Sequence, residues 1–382
     1  MSEVVKKYCI FHVPNYIDQS GKSGSQVRPR KMIQAFKNIG YDVDVVLGYA
    51  EERKNCIEKI EKKIKQGKKY DFLYSESSTM PTLLTEKNHI PKYFGIDFKF
   101  FKFCKKNGIS IGLFYRDIYW KFPVYKKNVK GLKYYLAQWA YKYDLRHYNS
   151  LLDVMYVSNS RVLNYLDKNV NYKYDVLFPA GEFDENYINE KNSAYKTIEN
   201  NSKINMFYVG GIGGQYNFSK FLKIVKSLNF IDLTICCREN DWNENKLYYE
   251  KFLSGNIKVV HESGKNLEKY YKNAMICVAL FELDEYMNMA MPIKIFEYLG
   301  HLTPIISTKG TAAGDFVEKE DIGWNIKYNQ KEIVDLLNYL NENRLDIVKK
   351  HKNMIEVIGN HTWDNRALKV QGDLTHSFSS NK

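Results

Sequence analysis

The sequence lacks the features that mark membrane-spanning, secreted and zinc-binding proteins. No apolar run reaches the roughly 18 residues that a spanning helix needs, and the N-terminus MSEVVKKYCIFHV enters an apolar stretch without a small-residue cleavage site. The six cysteines show no CxxC or paired zinc spacing, and the eight histidines lack metal-ligand spacing. We therefore expect a cytoplasmic protein with reduced, buried thiols and no bound metal.

Motifs of nucleotide chemistry are incomplete as well. The Walker spacing G-x-x-x-x-G-K-[ST] is absent. A Gly-rich loop, GGIGG (210–214), follows an apolar run but has no closing glycine, and the next predicted strand ends at Arg238 rather than at an acidic residue that would hold a ribose. A nicotinamide or flavin enzyme is therefore disfavoured. No catalytic triad is visible, and no tandem repeat of 20–50 residues occurs.

Positive charge is abundant and unevenly spread. The formal net charge is +13, and residues 99–147 contain twelve Lys and Arg against two Asp, together with fourteen Phe, Tyr and Trp. A basic surface attracts nucleic acid, anionic lipid or phosphorylated substrates without distinguishing them. Three interpretations stay open: core aromatics with solvated lysines, a surface for an anionic membrane or acceptor, and a nucleic-acid site. The absence of a nucleic-acid motif speaks against the third.

Length and alternation predict two α/β domains. A chain of 382 residues holds about two domains, and strand-like runs, Gly-rich loops and helical segments alternate through both halves, as in doubly wound parallel sheets. A shift to polar composition at 182–203 predicts a linker between an N-terminal domain, 1–181, and a C-terminal domain, 204–360. The predicted strands of the first half cover residues 4–13, 41–49, 70–78, 109–120, 153–160 and 174–181.

The stretch Met291–Gly314 is the most informative part of the second half. It predicts a short helix between two buried strands, which is a parallel β-α-β unit. Ligands of such units bind beyond the carboxyl ends of the strands, near helix N-termini that favour anions. Lys294 and Glu297 lie on one polar face of this helix. They either project toward a ligand or form an i,i+3 salt bridge on a solvated face.

Two Gly-rich loops are candidate phosphate sites, one in each half. The loop 20–25 includes Gly24 and Ser25 and precedes a helix predicted from Pro29 to Ile39, and the loop 210–214 includes Gly211 and Gly213. Glycines let backbone N–H groups approach phosphate oxygens, although each loop is also compatible with a plain tight turn.

A charged pair follows a predicted strand of the first half. Arg116 and Asp117 come at the end of the strand 109–120. They either contact a substrate or pair with each other.

Taken together, these residues resemble the family 4 retaining glycosyltransferases of the GT-B fold. The matching segments are FYVGGIGG, VHESGKNLEKYYKNAMICVALFE, MPIKIFEYLGHLTPIIST and GTAAGDFVEKEDIGW, and HTWDNRALKV (361–370) resembles the helix that closes these enzymes. The specific motif is P-x-K-x-x-E-Y-L with its following strand. The resemblance implies two Rossmann-like domains facing each other across a cleft, with helix 361–382 crossing back to the N-terminal domain.

The resemblance also implies a nucleotide-diphosphate sugar, such as a UDP-sugar, as the donor, and no cofactor. Glu297 matches the second Glu of the family's E-x7-E motif, which hydrogen-bonds the donor ribose. Met289 stands where the first Glu is expected, and Asn288 or the backbone N–H groups of Met289, Ala290 and Met291 take its place.

Two basic residues are the expected donor-phosphate contacts. Arg238 lies near the family's donor-contacting basic residue, and Lys294 is expected to neutralise the diphosphate. Metal-free stabilisation of the leaving group requires such charges.

These features predict an enzyme that transfers a hexose-type sugar, with retention and without metal, to a glycan, lipid-linked or protein-linked acceptor. Arg116, Asp117 and Lys294 are the catalytic candidates. Residues 99–147 are the candidate contact with the inner face of an anionic membrane, nucleic acid is not an expected partner, and a homo- or hetero-oligomer is allowed. The alternatives are a non-catalytic glycosyltransferase-like subunit and a nucleotide-sugar epimerase of the same fold.

Overall fold

The computed structural model describes residues 6–19, 21, 23–196, 198, 201–214 and 216–375. Parts of four predictions lie outside these residues: the start of the first strand, Ser20 and Lys22 of the loop 20–25, residues 197, 199 and 200 of the segment 182–203, and residues 376–382 of the last helix. The chain forms two compact units. Unit 1 comprises the residues up to Pro179 with those from Trp363 onward, and unit 2 comprises Ala180–Thr362.

Unit 1 is built on a parallel sheet with the strand order β2-β1-β3-β4-β5-β6. The strands are β1 (Lys7–His12), β2 (Tyr41–Val46), β3 (Phe72–Glu76), β4 (Ser110–Phe114), β5 (Val154–Val157) and β6 (Lys173–Val176). Parallel neighbours cannot be joined by a tight hairpin, so most connections contain a helix. The α-helices are α1 (Gly24–Asn38), α2 (Ala50–Lys65), α3 (Ile96–Lys106), α4 (Pro123–Asn128) and α5 (Leu132–Leu151).

Unit 2 repeats this plan with a second parallel sheet, in the order β12-β11-β10-β7-β8-β9. The first four α-helices of unit 2 are α6 (Asn186–Lys196), α7 (Ser219–Lys226), α8 (Glu239–Tyr249) and α9 (Glu268–Asn273). The strands are β7 (Ile204–Val209), β8 (Ile231–Cys236), β9 (Ile257–Val260), β10 (Ile276–Ala279), β11 (Ile305–Thr308) and β12 (Gly323–Ile326). The remaining α-helices of unit 2 are α10 (Ile293–Gly300), α11 (Ala312–Lys319), α12 (Gln330–Glu342) and α13 (Arg344–Ile358).

The chain then returns to unit 1 as α14 (Trp363–Thr375), which packs against α1, β3 and β4. Val370 and Leu374 are buried at this contact. The two Rossmann-like α/β domains that the sequence predicts are confirmed. The return of the last helix to the first domain is also confirmed over its described residues.

Five of the inner strands are buried along their whole length, which explains why they are mainly apolar. Every residue of β3, β4, β5, β10 and β11 is buried. Helices cover both faces of such a sheet, so both alternating sets of side chains leave water. Cys9 and Cys277 lie within these cores as predicted, and burial raises the pKa of both thiols.

The segment 182–203 is not a linker, which corrects the prediction. It contains α6, and Lys191, Tyr195 and Ile198 are buried against unit 2 at spacings of four and three residues. The Lys191 ammonium donates to the carbonyl oxygens of Tyr271 and Ala274. Polar composition concealed this buried stripe because a lysine stem can be buried when backbone acceptors satisfy its charged end.

Helix α1 begins at Gly24, five residues before the predicted start at Pro29. The Ser23 carbonyl accepts the N–H groups of Gln26 and Val27. Pro29 therefore lies inside α1, where its missing N–H costs the helix one backbone hydrogen bond. Gly24 and Ser25 therefore lie in the first turn of α1 rather than in a loop.

Each sheet has one point where the strand order reverses. It lies between β1 and β3 in unit 1 and between β7 and β10 in unit 2. Connections leave in opposite directions there, which opens a crevice at the carboxyl ends of the two strands. A ligand site of unit 2 is therefore expected at the residues that follow β7 and β10.

Candidate active site

The glycine loop at the end of β7 adopts a backbone that favours glycine. Gly210, Gly213 and Gly214 have φ angles of 146°, 90° and 55°. A Cβ atom on Gly213 would lie 2.5 Å from the Oδ1 atom of Asn245. Gly213 and Tyr216 exchange two backbone hydrogen bonds, at 3.0 and 3.3 Å, which close the turn. Both conformation and space therefore require glycine here.

Lys294 places its ammonium group beside this loop. Its Nζ atom lies 4.3 Å from the centre of the Tyr208 ring and 3.3 Å from the Tyr208 hydroxyl, with the Tyr216 ring centre at 5.5 Å. A Cβ atom on Gly210 would collide with Nζ. Burial lowers the pKa of Lys294 to about 8, against the opposing charge of Glu297. The group still keeps its proton for the most part at neutral pH.

Tyr298 fixes the position of α10. Its buried hydroxyl lies 3.2 Å from the Val209 N–H group and donates to the Val278 carbonyl at 3.3 Å. The helix is thereby tied to the end of β7 and to β10. Lys294 and Glu297, three residues apart, share a face of this anchored helix, and both are half-buried.

The segment between β10 and α10 holds the other residues predicted for the donor sugar. A 3₁₀ turn spans Met287–Met289. The Met289 side chain is buried, whereas Asn288, Ala290 and Met291 are half-buried. Met289 is thus a core residue at this site, and any ligand contact it makes comes from its backbone.

Arg238 lies at the same edge of the sheet. It is exposed and precedes α8, just after the end of β8. The Gly210 N–H group donates to the Cys236 carbonyl at 3.0 Å, so the glycine loop and the end of β8 are adjacent. The glycine loop with Gly211 and Gly213, Arg238 and Lys294 therefore lie at one edge of the unit-2 sheet, and residues 288–291 directly precede α10, which carries Lys294.

In unit 1, Arg116 belongs to a buried ionic cluster at the carboxyl end of β3. Its Nη2 atom lies 2.7 Å from Oε2 of Glu76, and the Arg28 Nε atom lies 3.2 Å from Oε1 of the same carboxylate. Burial lowers the pKa of Arg116, and the charge of Glu76 opposes this. Asp117 instead accepts the backbone N–H of Tyr119 at 2.8 Å.

The first turn of α1 adjoins this cluster. The Arg116 Nη1 atom contacts the Gly24 carbonyl at 3.4 Å. Arg116 thus neighbours the first turn of α1 with Gly24 and Ser25, although Gly24 and Arg116 are 92 positions apart in the sequence. Arg28 and Glu76 are not among the site residues that the sequence predicts. A charged residue ending the apolar strand run YDFLYSE was the signal for Glu76.

A second buried cluster lies at the point where the strand order of unit 1 reverses. His12, the last residue of β1, has Nε2 2.9 Å from Oδ1 of Asp97 and Nδ1 2.8 Å from the Ser75 hydroxyl. Arg53 pairs with the same carboxylate. Burial lowers the pKa of His12. Burial alone would raise the pKa of Asp97, but the His12 hydrogen bond and the Arg53 charge outweigh it and hold that pKa below its usual range.

The sequence of unit 2 matches a known family model. Residues 189–359 match the model described as glycosyl transferases group 1. The matched residues include β7, the glycine loop and α10, and therefore all the candidate site residues of unit 2. The comparisons support a glycosyltransferase enzyme. Among curated proteins, none matches the sequence significantly.

Solved structures resemble the chain over nearly its whole length. A glycosyltransferase from Rickettsia africae has a TM-score of 0.66 at 13% identity, with 98% of this chain and 100% of that one covered. Anabaena HepE, solved with UDP-glucose, has a TM-score of 0.60 at 12% identity over 97% and 99%. WaaG, a glycosyltransferase of lipopolysaccharide biosynthesis, has a TM-score of 0.59 at 11% identity over 96% and 99%. At these identities the likeness shows the fold, which is GT-B.

Within the described part of the chain, no group of three or more His, Cys, Asp or Glu side chains is arranged to hold a metal ion.

Proposed function

We propose that the protein transfers a hexose-type sugar from a nucleotide-diphosphate sugar, such as a UDP-sugar, without metal or cofactor. The observation that carries this proposal is the Lys294 ammonium, held by Tyr208 beside the glycine loop at the reversal point of the unit-2 sheet. Anabaena HepE, which has the same fold, was solved with UDP-glucose.

The diphosphate is the natural ligand of this arrangement. Loop N–H groups such as that of Gly211 donate to phosphate oxygens, as such turns do for anions elsewhere, while the Gly213 N–H closes the turn. Lys294 and the exposed Arg238 supply positive charge from two sides of the loop. Negative charge grows on the diphosphate as the sugar leaves, so these groups stabilise the transition state more than the bound donor.

The other candidate residues of unit 2 bind the two ends of the donor, the ribose and the sugar. Glu297, half-buried on the face it shares with Lys294, accepts the ribose hydroxyls. Asn288 and the backbone N–H groups of Met289, Ala290 and Met291 contact the sugar. A backbone contact explains how a buried methionine is tolerated at that position.

Transfer proceeds with retention. The bond between the anomeric carbon and the diphosphate oxygen breaks, and the acceptor hydroxyl oxygen bonds to that carbon on the same face. The hydroxyl proton passes to the departing phosphate oxygen, so no protein nucleophile is required.

Unit 1 receives the acceptor, which is a glycan or a lipid-linked or protein-linked sugar. Arg116 and Asp117 contribute polar groups of that side, whereas Gly24 and Ser25 in the first turn of α1 are candidate contacts of the donor phosphates. The enzyme works in the cytoplasm, at the inner face of an anionic membrane that residues 99–147 contact.

The decisive experiment is incubation of the full chain with a panel of UDP- and GDP-sugars. We expect hydrolysis or transfer with at least one donor, with the released sugar retaining its anomeric configuration by NMR. Absence of both with every donor would contradict the enzymatic proposal, and donor binding without turnover would indicate a non-catalytic subunit. Conversion to an epimeric nucleotide sugar would indicate an epimerase.

Glu297→Ala tests the donor site directly. We expect donor affinity, measured by calorimetry, to fall by about 1.5–3 kcal/mol because a hydrogen bond to a charged group is lost. Glu356→Ala, an exposed change on α13, is the control and leaves affinity unchanged. Equal affinities of the two variants would remove Glu297 from the site.

A further inference from the structure

Exposed apolar side chains form one ridge along α5. Leu132, Tyr135, Leu136 and Trp139 follow the spacing i, i+3, i+4, i+7, which places them on one side of a helix. Their exposed fractions are 84%, 66%, 49% and 48%. Single exposed apolar residues are ordinary, but a contiguous group of this kind marks an interaction surface.

The helix that carries this ridge, α5, and its neighbour α3 expose positive charge but no negative charge of their own. The acidic residue of α3 is Asp97 and that of α5 is Asp144, and both are buried. Their basic residues point outward instead. The exposed ones are Lys99, Lys102, Lys105, Lys106, Lys133, Lys142 and Arg146. Two helices that bury their acids and expose their bases present a face suited to an anionic partner.

A groove of about 890 Å³ lies between α3 and α5 and continues the ridge. Lys99, Lys102 and Lys106 line one wall, at spacings of three and four residues along α3. In the described part of the chain these three ammonium groups form no ion pair. They are therefore available to phosphate.

Aromatic rings form the other side of the groove and join it to the ridge. Tyr143 and His147 line it, with Phe98 stacked on His147 at 4.5 Å between ring centres. Trp139 stacks on Tyr143 at 5.6 Å. The ridge and the groove are thus one surface, apolar at one end and basic at the other.

We propose that this surface docks on an anionic bilayer, with phosphate headgroups in the lysine-lined groove and the α5 ridge in the interfacial region. The inference makes the membrane contact proposed for residues 99–147 specific, and it is independent of the transfer reaction. A second copy of the chain is a poorer occupant, since it would bring like charges together. Nucleic acid would satisfy the lysines but leave leucine side chains without a partner, whereas a bilayer satisfies both.

Vesicle co-sedimentation of the full chain tests the charged half of the surface. We expect binding to phosphatidylcholine vesicles that contain phosphatidylglycerol, little binding without it, and release by salt. The triple variant Lys99→Gln, Lys102→Gln, Lys106→Gln should bind about a hundredfold more weakly, since each lysine near an anionic surface contributes about 1 kcal/mol. The matched control changes three exposed lysines on the α2 side of unit 1 to Gln, namely Lys59, Lys62 and Lys69. This control should bind as the wild type does.

A second pair of variants tests the ridge. Leu132→Gln should weaken vesicle binding by about tenfold, because one leucine then stays out of the interface. Leu247→Gln on α8 removes an equally exposed leucine, at 85%, and should change nothing. Trp139 fluorescence should shift to the blue with anionic vesicles, and Trp139→Phe should abolish that shift.

Four results would overturn the proposal. They are equal binding to vesicles with and without phosphatidylglycerol, equal losses in the lysine variant and its control, a Trp139 signal that vesicles do not change, and a dimer in solution that Leu132→Gln dissociates. Donor hydrolysis is measured separately, so failure of vesicle binding leaves the proposed reaction intact.

Discussion

Lys294 and Asp144 are ionisable groups whose proton affinities burial moves in opposite directions. Burial lowers the pKa of Lys294 to about 8 and raises the pKa of Asp144 to about 7. Lys294 remains charged at neutral pH, as a phosphate contact requires. Asp144 has a structural role: its Oδ2 atom accepts the Thr82 N–H at 2.7 Å, and its Oδ1 atom is buried with no hydrogen-bond partner among the described residues.

Asp144 should make the stability of unit 1 depend on pH. The pKa of this carboxyl is near 4 in the unfolded chain and is raised to about 7 in the folded protein. The native state therefore binds the extra proton between these values, and stability falls as pH rises through that window. Within this pH window, the unfolding free energy of the wild type should fall relative to that of Asp144→Asn by about 1.4 kcal/mol per pH unit.

Urea unfolding of both proteins between pH 5 and about pH 8 measures this difference. Asp42→Asn, at an exposed position of β2, is the control, and its plot of unfolding free energy against pH should run parallel to that of the wild type. Parallel curves for Asp144→Asn and wild type would show that Asp144 titrates normally.

At the scale of elements, two residues of α10, Tyr298 and Lys294, connect this helix to the end of β7 and to the glycine loop. The sequence predicts the glycines and the polar face of the helix from spacing. It does not predict that Tyr208 holds the Lys294 ammonium, since the two residues are 86 positions apart and meet only when β7 and β10 pair.

Gly213→Ala should disturb this loop. The added Cβ atom would lie 2.5 Å from the Asn245 side chain. The loop would also hold the alanine in a left-handed backbone conformation, at a φ of 90°. We expect a loss of about 1–3 kcal/mol in unfolding free energy, together with weaker UDP binding. Gly255→Ala, where a Cβ atom meets nothing within 4 Å, should leave both unchanged. A Gly213→Ala protein with wild-type stability would show that the loop relaxes freely.

At the scale of the whole molecule, α14 completes unit 1 although it follows unit 2 in the sequence. Val370 is fully buried in this helix, and Leu368, two residues earlier, is 47% exposed. The core of unit 1 therefore depends on the last described segment of the chain.

Val370→Asp should unfold unit 1 selectively, because an unpaired buried carboxylate costs several kcal/mol of a total stability of about 5–15 kcal/mol. Hydrogen exchange should show lost protection in β3 and β4 and retained protection in β7 and β10. Leu368→Asp is the control on the same helix and should preserve both sets. Equal loss in both sets of strands would mean that the units unfold together.

The sequence by itself determined the α/β class and located the six strands of the first half, because apolar runs bounded by turn residues are local signals. It also marked Lys294, Glu297, the glycine loop and the basic stretch 99–147. The tertiary structure decided the rest: that 186–196 is a helix of unit 2, that Arg116 pairs with Glu76, and that apolar and basic groups of α3 and α5 form one surface. Those outcomes depend on pairing and burial between distant segments, which no local pattern contains.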